Sequence, residues 1–155
     1  MKSVSLQKMG KIFYLIFLNL YPAIAALISP FNPKAKKWIE GRKNIFEKIK
    51  TTLHQDNTQK IWMHCSSLGE FEQGRPLLEK LSIDYPAYKV VVSFFSPSGY
   101  EVQKNYAGAD YVFYLPMDSK KNAAQWYGLI NPACVLFVKY EFWNFYLQEA
   151  RKRSI

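Results

Sequence analysis

Cysteine and histidine are scarce, two of each in 155 residues, and the scarcity closes off several kinds of chemistry. Cys65 and Cys134 lack CxxC spacing, and with His54 and His64 they assemble no local zinc or redox motif. No metal and no cofactor is therefore expected. Free thiols fit a reducing compartment. If both cysteines lie in parallel strands, Cys65 ends one and Cys134 begins another, at opposite ends of the sheet. Neither GxGxxG nor GxxxxGK[ST] occurs, which removes the dinucleotide fingerprint and the P-loop. Internal repeats and low-complexity tracts are also absent, which excludes solenoids and compositionally disordered chains.

Acidic residues are sparse at the chain ends but not in the middle. Residues 1–50 carry ten Lys/Arg against two Glu, a net of +8, whereas residues 51–150 carry eight basic and ten acidic residues, a net of −2. Arg151, Lys152 and Arg153 supply the rest of the overall +9. A nucleic-acid-binding domain would spread its basic residues across the folded part, so nucleic acid is not an expected partner.

Apolar residues are abundant: 49% of the chain is hydrophobic and 17% aromatic. That is enough for one folded domain with a core, plus an appendage. The appendage is at the amino terminus. From Ile12 to Phe31 no residue is charged, a run about 30 Å long as a helix and close to the thickness of a hydrocarbon core. Lys2, Lys8 and Lys11 precede it; Lys34, Lys36, Lys37, Arg42, Lys43, Lys48 and Lys50 follow it, an asymmetry that favours a cytoplasmic location for the folded part. A secretory signal peptide shares this layout, with Ala23-Ile24-Ala25 as a cleavage-like site, but dense downstream lysines oppose export. A buried amphipathic helix would be less uniformly apolar. Residues 1–33 are thus expected to anchor the chain to a membrane surface, spanning or lying in the interface. Residues 34–59 read as a basic, helical connector that ends in the loop-like Gln55-Asp56-Asn57-Thr58.

Residues 60–155 alternate between short apolar runs and helix-length segments. Strands are expected at 61–65, 89–95, 111–115 and 133–138. Helices are expected at 69–82, 98–106, 119–129 and 141–151. This alternation predicts an α/β domain with a parallel sheet and right-handed crossovers. The turns Ser66-Ser67-Leu68-Gly69-Glu70, Ser96-Pro97-Ser98-Gly99, Pro116-Met117-Asp118 and Lys139-Tyr140-Glu141 each follow a strand. All four fall on one sheet edge, where open α/β sheets bind ligands. Simpler roles compete. Ser67 with Glu70, and Ser98 with Glu101, have capping-box spacing; Asp118 or Ser119 would serve as an N-cap; a strand histidine such as His64 is commonly a hydrogen-bonded core residue.

Four of these segments resemble, in order, motifs of the Kdo (3-deoxy-D-manno-octulosonic acid) transferases of lipopolysaccharide assembly. His64, Ser67, Gly69 and Glu70 match a His-x-x-Ser-x-Gly-Glu motif; Ser96-Pro97-Ser98-Gly99 is similar to Thr-Pro-Thr-Gly; Leu115-Pro116-Met117-Asp118 is similar to Leu-Pro-x-Asp; and Glu141-Phe142-Trp143-Asn144 is similar to Glu-Leu-Trp-Pro-Asn. Lys139 stands where many members have an acidic residue, Asn144 follows Trp143 without the usual proline, and Cys65 replaces an alanine. The resemblance implies the Rossmann-like, acceptor-binding amino-terminal half of an inverting GT-B glycosyltransferase. Kdo would move from CMP-Kdo to a lipid A precursor at the cytoplasmic face of the bacterial inner membrane. Glu70 would be the general base, and Ser66, Ser67, Gly69, Ser98, Gly99, Asp118, Lys139 and Glu141 would hold the acceptor. The donor would be bound mainly by a second domain absent from these 155 residues, so the chain is expected to be incomplete for catalysis. The alternatives are a GT-B transferase with another membrane acceptor and a non-enzymatic, membrane-tethered binding module.

Overall fold

In the computed structural model, residues 2–54 and 56–155 are described; Gln55 of the expected loop lies outside them. The chain divides into two units, residues 1–41 and 42–155.

The first unit contains α1 (Lys2–Ile28) and most of α2 (Pro33–Arg42). Within α1, Met9–Ile28 has a mean hydropathy of 1.8 and is long and apolar enough to cross a membrane. Two polar side chains bond the helix's own backbone: the Asn19 amide donates to the Leu15 carbonyl at 2.7 Å, and Ser29 Oγ, just past the helix, donates to the Ala26 carbonyl at 2.8 Å. That is the arrangement hydrocarbon requires, because it offers polar groups no partner. The helix ends three residues before the expected Phe31, where the Phe31 and Asn32 amides turn back onto the Ile28 carbonyl. Asn32 then caps α2, its Oδ1 accepting from the Lys34 and Ala35 amides, and Pro33 takes the first helical position, where its missing N–H costs nothing. Tyr21 packs edge-on against Trp38 at 5.1 Å.

The second unit runs α3 (Ile45–Thr52), β1 (Lys60–Cys65), α4 (Leu68–Asp84), β2 (Lys89–Phe94), α5 (Pro97–Gln103), β3 (Tyr111–Tyr114), α6 (Lys120–Ile130), β4 (Pro132–Phe137) and α7 (Asn144–Lys152). The strands form one parallel sheet in the order β3-β2-β1-β4. Parallel strands covered on both faces read as continuous apolar runs, and every residue of β1 is buried. Alternation along β1 nevertheless sorts its side chains. Met63 and Cys65 join Phe71, Leu78, Val90, Val92 and Phe94 in one core cluster. Trp62 packs instead among Trp126, Tyr127, Phe137 and Tyr146, with ring centroids 5.2 to 5.9 Å apart. Each such aromatic pair adds about 0.5–1.5 kcal/mol beyond its buried area.

Two helix starts differ from the sequence reading. Ser96, not Ser98, caps α5: its Oγ accepts from the Ser98 amide at 3.2 Å and the proline follows at N1. The last helix begins at Asn144 rather than Glu141. Lys139 adopts a left-handed φ of 62°, and the backbone from Val138 to Trp143 is irregular, which turns Glu141 inward instead of onto a helix. Cys65 and Cys134 are both free and lie at opposite ends of the neighbouring strands β1 and β4.

At the amino ends of the strands, Lys60 is fully buried, its Nζ donating to the Asp56 and Thr58 carbonyls at 2.9 and 2.6 Å. Asp56 accepts from the Tyr111 hydroxyl at 2.7 Å and pairs with Lys60 and Lys89. Burial raises the Asp56 pKa, but hydrogen bonds from Tyr111 and Thr58 and the charge of Lys60 outweigh it and hold the carboxyl well below the usual carboxylate range. A carboxylate depressed in the folded state stabilises above its unfolded pKa of about 4 and loses that contribution as pH falls toward the folded value. The stability gap between the parent chain and Asp56→Asn, read by urea denaturation, is therefore expected to be largest near neutral pH and to narrow below about pH 4.

Gly99 is tied to packing. A Cβ there would lie 2.2 Å from Phe94 Cδ1, whereas one at Gly69 would meet nothing within 4 Å. Gly99→Ala is expected to destabilise the fold by about 1–3 kcal/mol in thermal unfolding. Gly69→Ala, in the first turn of α4, is expected to change stability by less than about 1 kcal/mol.

Candidate active site

The four turns after β1, β2, β3 and β4 lie along the carboxyl edge of the sheet. Between Cys65 and Leu68 the chain has two residues in which to leave a buried strand and start a helix, which exposes orphan amides. Glu70 reaches back to satisfy them: its Oε2 accepts from the Ser66 amide at 2.5 Å and the Ser67 amide at 3.1 Å. The Ser67 side chain reciprocates toward the Glu70 backbone, completing the capping box. Among the described residues nothing donates to the other Glu70 oxygen, and the side chain is half-buried.

The same turn reaches the second carboxylate. The Ser66 hydroxyl hydrogen-bonds Glu141, so one serine contacts Glu70 through its amide and Glu141 through its side chain. Glu141 also faces His64 Nε2 at 3.3 Å and accepts from Trp143 Nε1 at 2.5 Å. Burial raises the Glu141 pKa, yet the hydrogen bonds from His64, Ser66 and Trp143 prevail and lower it. Cys65, behind the turn, is pushed the other way: burial foremost, then the charges of Glu70 and Glu141, hold its thiol protonated, so it is no nucleophile.

The remaining sequence-predicted residues are placed as follows. Ser98 is exposed on the first turn of α5, its Oγ 2.9 Å from Ser96 Oγ. Gly69 is exposed and unobstructed, while Gly99 is buried under Phe94. Lys139 is exposed, and it leads into a sequence that alternates outward and inward: Tyr140 is 84% and Phe142 71% exposed, while Trp143 is 8% exposed. Asp118 is 2% exposed and does not cap α6, which Ser119 does. Its carboxylate accepts instead from the Phe145 and Tyr146 amides at 2.9 and 3.1 Å, capping α7 from a distant turn.

Residues missed from sequence complete the edge. Arg42 donates to the Phe95 carbonyl at 2.7 Å and the Leu115 carbonyl at 2.9 Å, and its guanidinium lies over the Phe95 and Tyr114 rings at 4.8 and 4.9 Å. It thereby satisfies the carbonyls just past β2 and β3. Trp143 stacks on Phe95 at 4.8 Å. Nothing in the local pattern around Arg42 distinguishes it from the neighbouring lysines; Trp143 was legible only as a residue beside Glu141.

Residues 41–155 match the model of the family described as 3-Deoxy-D-manno-octulosonic-acid transferase (kdotransferase). The chain belongs to this family. A 3-deoxy-D-manno-octulosonic acid transferase of Haemophilus influenzae is 26% identical over 98 residues, 63% of this chain and 23% of that protein. Its counterpart in Chlamydia muridarum is 34% identical over 95 residues, 59% of this chain and 22% of that protein. A bifunctional glycosyltransferase/methyltransferase of Fusobacterium nucleatum is 28% identical over 120 residues, 70% of this chain and 19% of that protein. The chain thus spans about a fifth to a quarter of the length of these curated relatives. The parallel sheet with flanking helices agrees with the amino-terminal domain of a GT-B glycosyltransferase.

Asp118 offers a direct test of the edge's construction. Asp118→Ala removes the cap from two amides of α7, and a loss of about 1–2 kcal/mol is expected in urea unfolding. Amide exchange at Phe145 and Tyr146 is expected to accelerate more than exchange in β1.

Proposed function

We propose that this chain is the acceptor-binding part of a Kdo transferase, moving Kdo from CMP-Kdo to a lipid A precursor, with Glu70 as general base. The observation that carries the reading is the state of the Glu70 carboxylate: one oxygen is pinned by two amides at a helix start, and the other has no donor among the described residues. A carboxylate fixed in place with one free oxygen is suited to receiving a proton. Family membership supports the transferase assignment.

The chemistry balances simply. An acceptor hydroxyl oxygen attacks the anomeric carbon of Kdo, the bond from that carbon to the CMP phosphate breaks, CMP departs with the electron pair, and the hydroxyl proton passes to Glu70. Attack on the face opposite the leaving group inverts the anomeric centre. Ser66, Ser67, Gly69, Ser98, Gly99, Asp118, Lys139 and Glu141 build or line the acceptor side of the cleft, Gly99 and Asp118 by shaping its walls. The amino end of α4 favours negative charge, so a phosphorylated acceptor would be held there. The donor would be held mainly by polypeptide outside this chain, in keeping with the small fraction of each relative that is matched. The uncharged stretch of α1 from Ile12, with Lys11 just before it and Lys34, Lys36 and Lys37 after the helix, would hold the enzyme at the anionic cytoplasmic face of the inner membrane, where a lipid acceptor resides.

A transferase of the same architecture with another membrane acceptor is the second reading, favoured by the match to the bifunctional Fusobacterium protein. In a full-length version, Glu70→Gln keeps a side-chain acceptor for the Ser67 amide but cannot take the proton. Kdo transfer is expected to fall at least about 100-fold with little change in melting temperature. Unchanged transfer would remove Glu70 as the base; loss of transfer with a different sugar acceptor only would favour the second reading.

A further inference from the structure

His64 is fully buried, yet both ring nitrogens meet polar atoms. Nδ1 lies 2.9 Å from Ser93 Oγ and 3.1 Å from the Ser93 carbonyl oxygen, and Nε2 lies 3.3 Å from the Glu141 carboxylate. Trp62, also fully buried, directs its indole N–H at the same Ser93 Oγ, 2.7 Å away.

The donor and acceptor inventory makes this line run one way. An indole N–H only donates, so Ser93 Oγ accepts from Trp62 and keeps its own hydrogen to give. An ionised carboxylate only accepts, so Glu141 at 3.3 Å favours hydrogen on the His64 nitrogen that faces it. In a neutral imidazole the other nitrogen is then an acceptor, and the Ser93 hydroxyl is the donor beside it. In the opposite tautomer Nδ1–H would bond the Ser93 carbonyl, and a bare Nε2 would face a carboxylate oxygen, lone pair against lone pair. Trp143 does not rescue that alternative. Its indole nitrogen lies 3.1 Å from His64 Nε2 and 2.5 Å from Glu141, so its single hydrogen is shared between the two and sits closer to the carboxylate.

We propose that Trp62 and Ser93 lock His64 as the Nε2–H tautomer, making it a positioning residue that fixes Glu141 within the acceptor cleft. The positioning role rests on the reading of Glu141 as an acceptor-binding residue; the tautomer does not. The same chain explains why a polar serine and a histidine sit one residue from the carboxyl ends of the apolar strands β2 and β1. Each polar atom along it has its partner, which is the condition under which a buried network adds rigidity instead of instability.

Long-range proton–nitrogen correlation spectra of the histidine-labelled 155-residue chain test the tautomer, with His64→Gln separating His64 signals from those of His54. A neutral ring with hydrogen on Nε2 is expected. Hydrogen on Nδ1, in a neutral ring or an imidazolium, overturns the proposal. Ser93→Ala removes the hydroxyl but leaves the carbonyl, so the ring is expected to switch to Nδ1–H, and Ser93→Thr to restore Nε2–H. Retention of Nε2–H in Ser93→Ala overturns the role of Ser93, and should that variant not fold, the parent spectrum decides. In a full-length transferase, Ser93→Ala is expected to raise the acceptor KM at least tenfold, with recovery in Ser93→Thr. A switched tautomer with an unchanged KM would overturn the positioning role while leaving the hydrogen-bond chain intact.

Discussion

The carboxylate of Glu70 on the amides of Ser66 and Ser67 is the interaction on which the carboxyl edge depends. β1 is paired on both sides, with β2 and β4, so its end is fixed laterally and cannot drift to relieve a strained exit. The chain must turn within two residues, and a turn that short leaves amides which no backbone carbonyl reaches. An unmet buried donor costs about 1–3 kcal/mol, so the capping glutamate is part of the fold before it is part of any chemistry. Its consequence reaches further along the edge: with Ser66 held by its amide, the serine hydroxyl is aimed at Glu141.

The other turns meet the same demand by borrowing. α7 begins with no local side-chain cap, and Asp118 supplies one from the turn after β3. The carbonyls beyond β2 and β3 take the guanidinium of Arg42. Glu141 is reached from β1 by His64, from the turn after it by Ser66 and from its own loop by Trp143. Three of the turns thus draw on residues from elsewhere in the chain, which cross-braces the edge. Such bracing suits a site whose groups must hold fixed positions.

This borrowing also separates what was legible in the sequence from what was not. Strand and helix alternation was legible because period and length are local: the four strands and their helices fall within a few residues of their expected positions. The Ser67–Glu70 box was legible for the same reason, both halves lying within one turn of chain. Ser98 was misread as a cap because its spacing to Glu101 imitates a box, while the proline at 97 allows Ser96 to take that place. Glu141 was expected on a helix because apolar periodicity continues through Phe142 and Trp143; the left-handed Lys139 breaks that continuity, and no glycine or asparagine marks it. Asp118 and Arg42 act on elements 27 and 73 residues away, a separation at which a single sequence carries no signal. His64 was read as a satisfied core residue, and it is one, but its neighbour at Nε2 is a carboxylate 77 residues along the chain, just past the adjacent strand β4.

The two carboxylates are prepared for different work under the proposed function. Glu141 is buried against three donors that lower its pKa, and each hydrogen bond that stabilises the charged form makes the oxygen a poorer proton acceptor. It is suited to staying ionised and accepting hydrogen bonds from acceptor hydroxyls, not to removing a proton. Glu70 is held by two amides on one oxygen only, at the solvent-facing side of the same serine. A proton arriving on its other oxygen breaks neither of those bonds, so the helix cap survives the catalytic cycle. Under the proposed function, protonation of Glu70 leaves the helix cap undisturbed, as a base at the start of a helix requires.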